Sequence, residues 1–309
     1  MLRKPQLARF YIDWNDFNEH NLMHRILIGL ENITTIEKYK LQFIDILPTT
    51  VNGFWHNNHH GIKHSLLVYN RALELLKQFP LLKRHCLHMT FDETPEGGEE
   101  KIKALLTWAA ALHDFGRCLG FSFEEHQEFG ANLARCCFMD DEDEEVAMMS
   151  QRLYNLIANH DYLKPKIDGV KFPEIFFIEP LAEIFRLADT TSIAPAEEMH
   201  RYYQSGRQYK TVFYDPDITD DVRFDFSRHN GKRDMVCYAF NLFLLQPQDF
   251  FYRETAEAYA QWAKGKFDAF QELIRQARDE ENLSAGQILE IHGIIKRGHE
   301  HLGIPFYFD

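Results

Sequence analysis

The sequence predicts a mainly all-α protein: a helical bundle with helical extensions at both ends and one small β-hairpin. Three observations lead there. Apolar residues recur at three- and four-residue spacing through most of the chain. Gly, Pro and capping residues fall between those periodic stretches. Only "YKTVFYD" and "VRFDFS", joined by "PDITDD", carry the β-branched and aromatic enrichment of strands, and they read as a hairpin.

Taken in order, helices are expected over about residues 16–30, 33–47, 60–79, 99–113, 124–138, 144–160, 179–190 and 251–278, followed by "AGQILEIHGIIKRGHEHL". The stretch "FDETPEGGEE" interrupts the periodicity with Pro and Gly-Gly, and "YLKPKIDGVKFPE" is a loop with two Pro. Ser122 with Glu125, and Ser284 with Gln287, form capping boxes ahead of two of the helices. The acidic run "MDDEDEE" reads as a solvated helix N-terminus, where the macrodipole favours negative charge. No repeat or linker-like segment divides the 309 residues, so a single domain is expected, with a core over about 55–195 and a C-terminal extension over 196–309.

Composition narrows the function. The formal net charge is −13, which disfavours nucleic acid and anionic membranes, since both attract clustered Lys and Arg. A phosphate substrate stays compatible, because a bound cation reverses the local field. The five Cys are odd in number and form no Cys-x-x-Cys, so neither a disulfide framework nor a cysteine zinc site is expected. The N-terminus has no apolar signal region, and the longest apolar run, "VCYAFNLFLL", is about half the length of a membrane span. A reduced, cytoplasmic protein is the expectation.

The stretch "ALLTWAAALHDFGR" raises the chemical question. A strongly apolar helix ends in His113 and Asp114, followed by Gly116 and Arg117. A His-Asp pair alone says little, as about one is expected by chance in such a chain, and a second occurs at His160-Asp161. What matters is what else could reach the same point. His64 opens an amphipathic helix, His126 lies in the first turn of another, His160 closes "RLYNLIANH" and Asp189 closes "LAEIFRLAD". An unpaired ionisable group on an apolar face is costly. Helix ends brought together in a bundle would form a pocket of imidazoles and carboxylates, a donor set suited to Fe, Mn, Zn, Co or Ni. Adjacent helical residues diverge by about 100°, so His113 and Asp114 either share one ion where the helix loosens, or the carboxylate bridges two. His20, His24, His56, His59 and His60 lack the glutamate of a His-Glu-x-x-His site and are taken as non-ligands.

The order His64, His113-Asp114, Asp189, with "HSLLVYNRA" and "AAALHDFGR" around the first two, resembles the HD-domain metal-dependent phosphohydrolase superfamily, whose fold is an all-α bundle. "HQEFGANLA" resembles the His-x-x-x-Gly-Ala helix of members that bind two metals, and "LIANHDYL" with "IFRLADTTS" is similar to their later His and closing Ala-Asp. The resemblance implies that His64, His113, Asp114 and Asp189 hold one divalent transition metal. Asp114 would bridge to a second ion, completed by His126 and His160. Asp114, His113 and Arg117 would serve catalysis. The chain departs from the cyclic-dinucleotide phosphodiesterase branch, having Asp161 in place of its second His and no Gly-Tyr-Pro. Arg117 replaces the frequent Lys, and its guanidinium suits a phosphate oxygen.

The implied function is hydrolysis of a phosphomonoester or phosphodiester, in a nucleotide or other small substrate, by a metal-activated water. Two alternatives remain open: a di-iron oxygenase of the same superfamily, and a non-catalytic signalling module. The basic residues near the expected hairpin, Arg207, Lys210 and Arg228 foremost, are candidates for substrate binding. The expected partner is a small phosphorylated molecule, with no membrane and no nucleic acid, and a homodimer is left open.

Overall fold

The computed structural model describes residues 19–33, 61–90, 95–118, 125–139, 142–160, 179–208, 212–224, 234–241 and 245–303. The helix expected over 33–47, the capping box at Ser122 and the loop "YLKPKIDGVKFPE" lie outside this set, apart from residues at their edges. The described residues are overwhelmingly helical and contain no strand. Among them, no helix is long and apolar enough to cross a membrane. The chain divides into two compact units, Met1–Ser192 and Ile193–Asp309.

The first unit contains α1 (Glu19–Ile33), α2 (Ile62–Gln78), α3 (Pro80–Thr90), α4 (Pro95–Leu112), the short α5 (Phe115–Cys118), α6 (Glu125–Cys136), α7 (Glu144–Ala158) and α8 (Pro180–Thr190). Helix α4 is its centre and packs against α2, α3, α6 and α7. Every residue from Ala104 to Leu112 is buried, with Trp108 fully enclosed and edge-on to Phe138. The three alanines 109–111 keep this face thin, so neighbouring helices come close to the end that carries His113. Helix α4 begins earlier than periodicity indicates: Pro95 is its first residue, and Gly97 and Gly98 lie inside its first turn. Proline suits that position because its missing N–H would have no intrahelical partner there.

Polar contacts help to fix this bundle. Lys101 of α4 is buried and pairs with Glu145 at 2.6 Å. Asp143 caps α7 by accepting the Glu145 N–H at 2.9 Å. The acidic run is therefore a helix N-terminus as expected, but Glu145 in it also neutralises a buried lysine. At the other end of α6, Arg25 and Asn32 of α1 donate to the carbonyls of Cys137 (3.4 Å) and Cys136 (3.1 Å), where a helix lacks partners of its own.

The second unit contains α9 (Pro195–Gln208), α10 (Asp220–Phe224), α11 (Met235–Asn241), a 3₁₀ turn (Pro247–Asp249), α12 (Arg253–Glu280) and α13 (Ala285–Leu302). Met199, Tyr203, Phe213, Phe270, Ile291 and Ile294 belong to its core. The Ser284–Gln287 capping box is present as the sequence predicts, and α13 ends at Gly303 in the left-handed region, φ 63°.

Among the described residues the predicted hairpin is not formed. Val212–Asp215 form no strand, and Val222–Phe224, assigned to the second strand, belong to helix α10. The reason lies in Arg223. Its guanidinium is buried, bonds Asp234 Oδ2 (3.4 Å) and the Asp215 carbonyl, and lies over the Tyr214 ring. Asp220 and Asp221 occupy the first turn, where the macrodipole favours them. Turning Arg223 inward and the acids outward requires helical spacing, which overrides the alternating pattern.

Candidate metal centre

Five elements bring their ends to one point. His64 is the third residue of α2. His113 and Asp114 form the turn between α4 and α5. His126 is the second residue of α6, His160 follows α7 by two residues, and Asp189 is the penultimate residue of α8. Helices α3 and α5 intervene in sequence, so the contributing helices are not consecutive. Because α4 ends at Leu112, His113 and Asp114 escape helical divergence, and His113 Nε2 lies 3.6 Å from Asp114 Oδ2.

The atoms form two overlapping sets. His64 Nε2 lies 3.0 Å from Asp189 Oδ1, 3.3 Å from His113 Nε2 and 3.5 Å from Asp114 Oδ2. His113 Nε2 lies 3.4 Å from Asp189 Oδ1. On the other side, His126 Nε2 lies 3.5 Å from Asp114 Oδ1. His64, His113 and Asp114 offer ligand atoms within 4.8 Å of one another, as do Asp114, His126 and His160, and also His113, His160 and Asp189. His113, Asp114, His126 and His160 are buried, while His64 and Asp189 carry the cluster's remaining exposure.

The donor chemistry fits a cation. His113 Nδ1 donates to the Ala110 carbonyl at 3.0 Å, and His160 Nδ1 donates to the Ile157 carbonyl. Each bond fixes the tautomer that leaves an Nε2 lone pair. Two imidazole nitrogens 3.3 Å apart, beside two carboxylate oxygens, are mutually repulsive unless a proton or a metal sits among them.

The metal-free titration reflects this. Burial alone would lower the His113 pKa, but Asp114 and Asp189 outweigh it and raise the value from 6.5 to about 9. His160 moves the opposite way, to about 4, through burial and the charge on His113, against the opposing pull of Asp189 and Asp114. Burial would raise the Asp189 pKa, yet the His113 and His64 imidazoles hold it well below the carboxylate range.

A group whose pKa rises on folding stabilises the fold at low pH. In the metal-free protein the His113 contribution is therefore complete below pH 6.5 and is lost as pH rises through about 9. The Asp189 contribution is present above the carboxylate range and does not change in this window. Metal-free protein is expected to lose thermal stability between pH 6.5 and 9. Adding a divalent cation at pH 7.5 is expected to release about one proton in all, from His113, since ligation needs neutral imidazole. An indicator dye in weak buffer measures that release, and uptake with no proton released would contradict the assignment.

Two glycines set the approach of α6. A Cβ on Gly116 would lie 2.9 Å from the His126 Cα, and one on Gly130 would lie 2.6 Å from the Leu112 carbonyl oxygen. These residues let the backbone carrying His126 lie directly against the His113-Asp114 turn. Gly116 stands out in the sequence only as the residue before Arg117 and Gly130 only through the resemblance, because close approach between distant segments leaves no local signal. Nor does any local signal mark Phe185, whose ring stands edge-on to His113 at 5.5 Å.

Arg117 is half-buried in α5, and its N–H donates to the Asp114 carbonyl at 2.9 Å. Arg207 lies near the C-terminus of α9 in the second unit, and Lys210 and Arg228 lie outside the described residues. Of the histidines set aside, His24 is exposed on α1, whereas His56, His59 and His60 are outside the described set.

Buried imidazoles and carboxylates converging from several helix ends define a helical protein able to hold divalent metal. Residues 61–193 match the family model described as HD domain, the domain of the HD metal-dependent phosphohydrolase superfamily. That segment supplies all six residues of the cluster. HD domains bind divalent metals and are typically metal-dependent hydrolases. No curated protein and no solved structure matches the chain.

Proposed function

We propose that the protein is a phosphohydrolase that uses two divalent cations to cleave a nucleotide or other small phosphoester in the cytoplasm. The observation that carries this reading is the placement of Asp114. Its Oδ2 faces His64 and His113 while its Oδ1 faces His126, so one carboxylate serves two sets of donors. His64, His113, Asp114 and Asp189 would hold one ion, and Asp114, His126 and His160 the other, with Fe, Mn, Co, Ni or Zn all suited to the donors. When bound, such ions lower the pKa of water and offset charge on phosphoryl oxygens.

The chain's own residues do the rest. The Nδ1 bonds of His113 and His160 keep their rings aimed inward. Asp114 sets the spacing between the two donor groups. Arg117, one turn beyond Asp114, is the cation assigned to a phosphate oxygen. Substrate enters from the His64–Asp189 side, where the cluster is least buried. Five free cysteines fit a reducing compartment.

The test is phosphate release from a panel of phosphomonoesters, phosphodiesters and nucleotides with Mn, Co, Fe, Ni or Mg added. Turnover that depends on the metal supports the reading. An inactive protein that retains iron and consumes O₂ with a substrate would replace it with the oxygenase. Arg207, Lys210 and Arg228 stand as proposed substrate-binding residues. Neutralising Arg207 and Arg228 together is expected to raise KM about tenfold with kcat little changed, and an unaltered KM removes them from the site.

A further inference from the structure

We infer that Arg71 is a positioning residue for the metal centre: it holds the last turn of α8, and through it the Asp189 carboxylate, in place by clasping Thr191. This rests on the reading of the cluster as a metal site. Asp189 lies one residue before the end of α8, where a helix normally frays because its final carbonyls lack intrahelical partners. Here hydroxyls add to the backbone bonds of the last turn. Thr190 Oγ1 donates to the Arg186 carbonyl at 2.9 Å, Thr191 Oγ1 to Leu187 at 2.7 Å, and Ser192 Oγ to Asp189 at 3.0 Å.

Among the described residues, Thr191 is the one of the three that bonds another helix. It is buried, and its Oγ1 accepts the Arg71 Nε–H at 3.1 Å. Arg71 stands two turns after His64, on the same face of α2. The two helices are thus tied at two points: His64 Nε2 to Asp189 Oδ1 at 3.0 Å, and Arg71 to Thr191. A guanidinium is suited to this place, because it meets the negative end of the α8 dipole. Its Nη1 is held in turn by Glu74 at 3.2 Å. The first tie involves a metal ligand and must adjust when a cation enters. The second involves no ligand, so it can hold the helix end in both states.

The test is Co(II) binding by the full-length metal-free protein, followed by visible ligand-field absorption, for wild type, Arg71→Met, Thr191→Val and the double variant. Apoprotein melting is measured alongside. Each single variant is expected to weaken Co(II) binding about tenfold, the lower end for groups that orient a ligand. The double variant should be no weaker than the weaker single, because both remove one link. The absorption at saturation should differ from wild type, which a loss of stability alone would not produce. An unchanged dissociation constant, additive losses or a wild-type spectrum in the variants overturns the inference and leaves the metal reading standing. A wild-type protein that takes up no Co(II) overturns both.

Discussion

Asp114→Ala is expected to abolish metal-dependent turnover and to leave purified protein with little bound metal. Losing a group that merely orients a ligand costs roughly 10–100-fold in affinity or activity. Asp114 faces His64 and His113 through one oxygen and His126 through the other. Its removal takes a ligand from both donor sets at once, so a loss of three orders of magnitude or more is the expectation. Asp114→Asn keeps the volume and removes the charge, and it should be similarly inactive. That result would separate the charge from the packing of a buried side chain. Metal content of the purified variants, together with phosphate release under saturating metal, checks both. A variant that hydrolyses at the wild-type rate would remove Asp114 from the mechanism.

Gly130→Ala is expected to be the most damaging of the smallest substitutions. The added methyl group would fall 2.6 Å from the Leu112 carbonyl and 3.1 Å from that of His113, and neither is a flexible side-chain end. Helix α6 must retreat from α4. Overpacking of this kind costs about 1–3 kcal/mol, and contact with backbone places this case toward the top. A fall in melting temperature of roughly 5–10 °C follows for a unit of this size. The displacement also moves His126 away from Asp114, so metal affinity should fall together with stability. Calorimetry and metal titration on the same preparation measure both. Normal melting and normal metal binding would show that α6 relaxes without moving His126.

Much of the candidate centre was legible in the sequence because its donor residues announce themselves. His113, Asp114, His126, His160 and Asp189 each stand at the end of an apolar periodic stretch, where burial makes an unaccompanied ionisable group expensive. His64 was legible as the start of an amphipathic helix. What could not be read was the spacing between them. Whether Asp114 faces one set of imidazoles or two depends on α4 stopping at Leu112 and on α6 touching the turn through Gly116 and Gly130.

The predicted hairpin failed for a related reason. Aromatic and β-branched residues around Val212 and Val222 match a strand locally. The burial of Arg223 against Asp234, eleven residues away, decides for helix.

The sequence alone determined the helical class, the candidate donor residues and the capping of α13, because periodicity, residue chemistry and capping act within a few neighbouring residues. Only the tertiary structure decided how close the helix ends come, which oxygen of Asp114 faces which imidazole, and that Arg71 reaches Thr191. Those distances are set by contacts between segments up to 125 residues apart, as for His64 and Asp189, and no local pattern encodes them.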